Sequence, residues 1–67
     1  MSMKLSDFWR RMGESFGPGY ARSVAADQVL PQLGQTVDDA LRSGVETVTV
    51  WRAVVATYPD RVPSRLR

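Results

Sequence analysis

With 67 residues, 43% of them hydrophobic, the chain has room for one domain around one small core and for no second unit. It contains no Cys and no His, which removes disulfides, thiolate and imidazole ligands and the commonest general base. Most enzyme chemistries go with them, no cofactor is expected, and the cytoplasm is the expected compartment. The formal charge is +2, but nine Lys and Arg are dispersed among seven Asp and Glu, a weak hint of polyanion binding.

Stability in so short a chain must come from a few large side chains, and Phe8, Trp9, Phe16, Tyr20, Trp51 and Tyr58 are the obvious ones. The start, Met1-Ser2-Met3-Lys4, has no apolar run behind it, so no signal peptide is expected. The longest nearly apolar stretch, Val50 to Ala56, holds Arg52 and falls far short of a bilayer span. No membrane partner and no small-molecule substrate are expected.

Ser6 as N-cap, Asp7 in the first turn and Leu5, Phe8, Trp9, Met12 and Phe16 at helical spacing predict helix one over 6–16. Gly13 inside it implies either fraying or a close neighbour. Gly17 is expected as the left-handed cap and Pro18-Gly19 as the turn. Tyr20, Ala21, Val24, Ala25, Gln28 and Val29 then predict helix two over 20–30, stopped by Pro31, with Leu33 and Gly34 as a connector.

Thr36-Val37-Asp38-Asp39 has the form of a capping box. It opens a short helix three over 36–43, with Val37, Ala40 and Leu41 inward and Gly44 closing it. Residues 45–51 alternate as a strand would, but no other segment alternates to pair with them. The stripe Val50, Trp51, Val54, Val55 and Tyr58, ending at Pro59, favours helix four over 47–58. The end, Arg61 to Arg67, holds three Arg and no acid and reads as a solvated, flexible basic tail.

Met3-Lys4-Leu5-Ser6-Asp7-Phe8, Phe16-Gly17, Tyr20-Ala21-Arg22-Ser23, Asp27-Gln28-Val29-Leu30, Thr36-Val37-Asp38-Asp39-Ala40-Leu41, Gly44-Val45, Val50-Trp51-Arg52-Ala53 and Val62-Pro63 together resemble a family of short actinobacterial proteins, domain of unknown function 3046. The resemblance covers nearly the whole chain, and its most specific part is Gly-Val, a spacer, then Val-Trp-Arg-Ala. It implies no activity, cofactor or catalytic residue. It does imply an association with DNA metabolism, because relatives are often encoded beside recombination genes. Relatives tend to carry an acid and a proline where this chain has Glu46 and Thr47; Thr47 can cap the helix itself, which leaves its register open.

Thr36 to Val55 has the order of a helix-turn-helix, with Ala40, Gly44 and Val50 suitably spaced. Against that, the first turn of helix four offers Glu46, Thr47, Val48 and Thr49, and Glu46 repels phosphate. A recognition register would also turn Val48, Trp51 and Val55 outward, whereas burying the Trp51 ring is worth roughly 3 kcal/mol or more. Two packed helices are the simpler reading. Arg52 reads either as an anion anchor or, preferably, as the ion-pair partner of Asp27. Asp38-Asp39 with Glu46 make a poor metal cluster, and Arg10-Arg11 read as a solvated face.

The expected protein is all-α, a compact bundle of four short helices over residues 1–60 whose last two form a helix-turn-helix-like corner, followed by the tail at 61–67. Its expected function is that of a non-enzymatic module binding another protein, the alternative being a DNA-binding accessory factor. The expected interaction surface is Thr47, Thr49, Trp51, Arg52, Arg61, Arg65 and Arg67.

Overall fold

The computed structural model describes residues 2–67; Met1, part of the expected domain and of the start segment, lies outside them. In chain order come helices α1 (Leu5–Phe16) and α2 (Pro18–Asp27), an antiparallel ladder of strands β1 (Val29–Leu30) and β2 (Gln35–Thr36), helices α3 (Val37–Arg42) and α4 (Thr47–Thr57), and a 3₁₀ turn at Ser64–Leu66. The four expected helices are present and the chain is mostly α. The two-residue strands are an addition to the expected architecture.

Each boundary that moved has a local cause. The Phe8 amide already donates to the Lys4 carbonyl at 3.0 Å, so α1 starts with Lys4 as its N-cap and Ser6 lies inside the first turn rather than capping it. Gly17, at φ +88°, hands the chain directly to α2, and Pro18-Gly19 form the first turn of that helix instead of a loop. Proline costs nothing there because its missing N–H would have been unpaired anyway. The other end of α2 comes early, at Asp27, and Gln28 is already extended.

Pro31 keeps Leu30 extended, as expected, but the helix ends three residues earlier because the strand ladder takes up both Val29, paired with Thr36, and Leu30, paired with Gln35. The Leu30 carbonyl accepts from both Leu33 and Gly34 at 2.9 Å, which closes the turn between the strands. Val29 is therefore exposed rather than part of an inward stripe, and Leu30 is fully buried.

Thr36 caps α3 as expected, its hydroxyl accepting from the Asp39 amide at 3.1 Å. The Asp39 carboxylate pairs with Arg42 at 2.9 Å. At the far end the Val45 amide donates to the Ala40 carbonyl and the Gly44 amide to that of Leu41, a Schellman closure that requires the positive φ of Gly44, +93°. Residues 45–51 are not a strand, since α4 begins at Thr47. Its N-cap is Glu46, without a side-chain bond, rather than Thr47.

α1 packs on α2 and α4, and α3 bridges α2 and α4. The inner surface is built by Phe8, Met12 and Phe16 from α1, Ala21, Val24 and Ala25 from α2, and Val50, Trp51, Ala53 and Val54 from α4. Phe8 sits edge-on to Trp51, ring centres 6.0 Å apart, and Phe16 edge-on to Tyr58 at 5.2 Å. Aromatic groups of the first and last helices thus share one interior. Six residues expected to face inward stand further out: Trp9, Leu41, Val55 and Tyr58 are partly buried, and Leu5 and Tyr20 are 52% and 55% exposed.

The seven residues read as a solvated tail pack onto this body. Val62 and Leu66 are only 3% and 5% exposed and belong to the core. The segment looked polar because its four charged or hydroxyl side chains outnumber Val62, Pro63 and Leu66, but Val62 and Leu66 fall four apart and point to the same interior. No helix among the described residues is long and apolar enough to cross a membrane.

Candidate functional site

Trp51 shows how α4 connects the core to the surface. Its ring is 2% exposed against Phe8, and its indole N–H donates to the Leu66 carbonyl at 2.8 Å. The same carbonyl accepts from an Arg11 guanidinium nitrogen at 3.3 Å, and that guanidinium lies 5.8 Å from the Trp51 ring centre. Arg11 Nε is buried without a hydrogen-bond partner. Arg65 pairs with Glu14, and Arg67 donates to the Pro59 carbonyl at 2.7 Å.

Above this junction lies an open groove of about 780 Å³, between the start of α1, the outer edge of α4 and the docked end of the chain. Met3, Val48 and the edge of Trp51 provide its apolar floor. Lys4, Arg10, Arg11, Arg52 and Arg67 ring it, with Asp7 as the one acid among them. Five cations against one carboxylate exceed the +2 of the entire chain, so the rest of the surface is net acidic. A smaller hollow of about 230 Å³, sharing Ser2, Met3 and Val48, continues the groove to Glu46 and Thr47.

Asp7 is committed to its neighbours. Arg10 and Arg11 both pair with it, and the hydrogen bond from Arg10 is the main reason its carboxyl titrates below the ordinary 3.8. The Arg10 guanidinium is correspondingly pushed above its usual range by Asp7. The carboxyl of Glu14, outside the groove, is held below 4.5 by Arg65 first and by Arg10 second. Lys4, Arg52 and Arg67 belong to none of the ion pairs among the described residues, which leaves three groove cations without a carboxylate.

Of the residues expected at an interaction surface, the structure brings Trp51, Arg52 and Arg67 together in the groove and Thr47 to its continuation. Thr49 is exposed but lines neither hollow. Arg61 lies elsewhere, 5.3 Å from the Phe16 ring centre and 5.8 Å from that of Tyr20, and Arg65 is taken up by Glu14. The expected Asp27–Arg52 pair is not among the ion pairs of the described residues; both side chains are exposed. Nor do three potential metal ligands come together among those residues.

Sequence reasoning missed Lys4 and undervalued Arg10 and Arg11. A signal existed: Lys4, Asp7 and Arg11 recur at three and four residues, as do Val48 and Arg52, so each set lies on one helical face. What no spacing could provide was that the two faces adjoin. Comparison with known proteins agrees with the resemblance noted above: the family model described as Protein of unknown function (DUF3046) matches residues 3–65, and the chain belongs to that family. No curated protein and no solved structure matches it.

Proposed function

We propose that this DUF3046 protein is a non-catalytic interaction module whose groove receives an acidic, partly apolar segment of a protein partner. The segregation of charge carries the reading: a chain with a formal charge of +2 gathers five cations around one groove, three of them with no carboxylate partner among the described residues. Complementary charge steers encounter and selects partners, while apolar contact adds affinity. Met3 and Val48, both partly exposed, give such a segment apolar surface to cover, with Trp51 packed beneath them. The one groove carboxylate, Asp7, is kept ionised by two guanidiniums and is a poor proton carrier near neutrality, which favours binding over catalysis.

DNA binding through α3, the Gly44 turn and α4 has less behind it. Trp51 is turned inward, and the exposed positions of α4 and its cap are Glu46, Thr49, Arg52 and Ala56, a single cation accompanied by an acid. A phosphate backbone would also leave the apolar floor of the groove uncovered.

The test is a fluorescence-anisotropy titration of the chain with a short synthetic peptide rich in glutamate with interspersed leucine, and in parallel with a labelled DNA duplex, at matched ionic strength. The peptide is expected to bind, more weakly as salt rises, and to lose binding in an Arg52→Glu, Arg67→Glu variant. Tighter binding of the duplex, with a steep salt dependence, would transfer the groove to nucleic acid. A flat response to both probes would end the proposal.

A further inference from the structure

We infer that residues 61–67 form a movable wall of the groove and dock cooperatively with an acidic ligand. This rests on the reading of the groove as a binding site. Arg67 lines the groove, and its place there depends on the segment that carries it. That segment is anchored in the core by Val62 and Leu66 and by the Leu66 carbonyl, which Trp51 Nε1 at 2.8 Å and Arg11 at 3.3 Å share; its other ties, the Arg65–Glu14 pair, the Arg67–Pro59 hydrogen bond, Arg61 over Phe16 and Tyr20 and the Arg61 and Val62 amides on the Tyr58 carbonyl, lie toward solvent.

Both donors to that carbonyl are themselves groove residues, so the floor and the wall share a hydrogen-bonded junction. Arg61, Ser64, Arg65 and Arg67 are exposed and the regular structure here is one 3₁₀ turn, Ser64–Leu66; segments with so little buried belong to the part of a fold that opens most readily. When it lifts, Arg67 leaves the groove, and Trp51 and Arg11 lose their shared acceptor. An acidic segment that contacts Arg67 binds the docked form better and shifts the population toward it. By the same linkage, loosening the segment weakens the ligand in proportion to the docked fraction that is lost.

Leu66 separates coupling from direct contact, because it anchors the segment without lining the groove. In the intact chain, Leu66→Ala is expected to weaken binding of the glutamate-leucine peptide by about fivefold or more, as the docked fraction falls. Hydrogen exchange across 62–67 should slow when wild type is saturated with peptide.

Should Leu66→Ala fail to fold by circular dichroism, Trp51→Phe carries the test: it keeps an aromatic ring in the core and removes the indole donor. In that variant exchange across 62–67 should quicken without peptide and binding should weaken. Wild-type affinity in a folded Leu66→Ala, or in Trp51→Phe where that stands in for it, or exchange indifferent to peptide, would overturn the coupling while leaving the groove reading intact. Absence of peptide binding by wild type would overturn both.

Discussion

Gly13 offers the cleanest test of the physical reading of α1. It lies in the interior of a continuous helix, Leu5–Phe16, and is not among the glycines with positive φ. A Cβ built there meets nothing within 4 Å, so neither fraying nor a close neighbour accounts for the glycine. Gly13→Ala should then recover the full propensity difference, about 1 kcal/mol, through the smaller entropy loss of the unfolded chain. For a domain of this size that corresponds to a rise in melting temperature of about 4–8 °C, read by circular dichroism or calorimetry. Gly44→Ala is the control, since φ +93° is strained for any side chain whatever the space around it, and it should destabilise. A lower melting temperature in Gly13→Ala would show that the helix does not run through that position, or that something covers it.

Thr36→Ala removes the oxygen that accepts from the Asp39 amide and should cost about 1 kcal/mol in urea denaturation, whereas Thr36→Ser should cost less. Acid should destabilise the fold in a definite window. The carboxyls of Asp7 and Glu14 titrate below their ordinary 3.8 and 4.5 in the folded chain, so the stability they add is fully present above those ordinary values and is lost as pH falls from them through the lower folded ones. Denaturation midpoints should be level from neutrality to about pH 5 and then fall. Glu14→Gln should flatten part of that slope. In the groove, Arg52→Glu alone should weaken the glutamate-leucine peptide by about tenfold with no change in melting temperature, because the side chain is exposed and makes no ion pair among the described residues.

Much of the architecture was legible because its signals are local. The Thr36 cap, the Gly44 closure and the inward stripe of α4 are set by residues within a turn or two of each other, so sequence spacing reports them directly. Errors gathered where two local signals compete. Ser6 could cap, but the Lys4 carbonyl had already accepted the first helical bond; Val29 continued a helical stripe, but Pro31 favoured an extended Leu30 that a partner strand then stabilised.

The candidate site was legible only in part. Trp51, Arg52 and Arg67 could be singled out by residue type, yet their reason for being together, and the company of Lys4, Arg10 and Arg11, lies in the packing of α1 against α4. The reading of the tail failed for the same reason, since whether Val62 and Leu66 are buried depends on there being a surface to receive them.

The sequence by itself determined which stretches form helices, the Thr36 cap, the Gly17 and Gly44 ends and most of each apolar face, because backbone geometry couples residues only three or four apart. The tertiary structure alone decided that cations dispersed along the chain meet around one groove and that its last residues close against Trp51. Charge and burial act through distance in space, and residues 4 and 67 become neighbours only once the helices between them have packed.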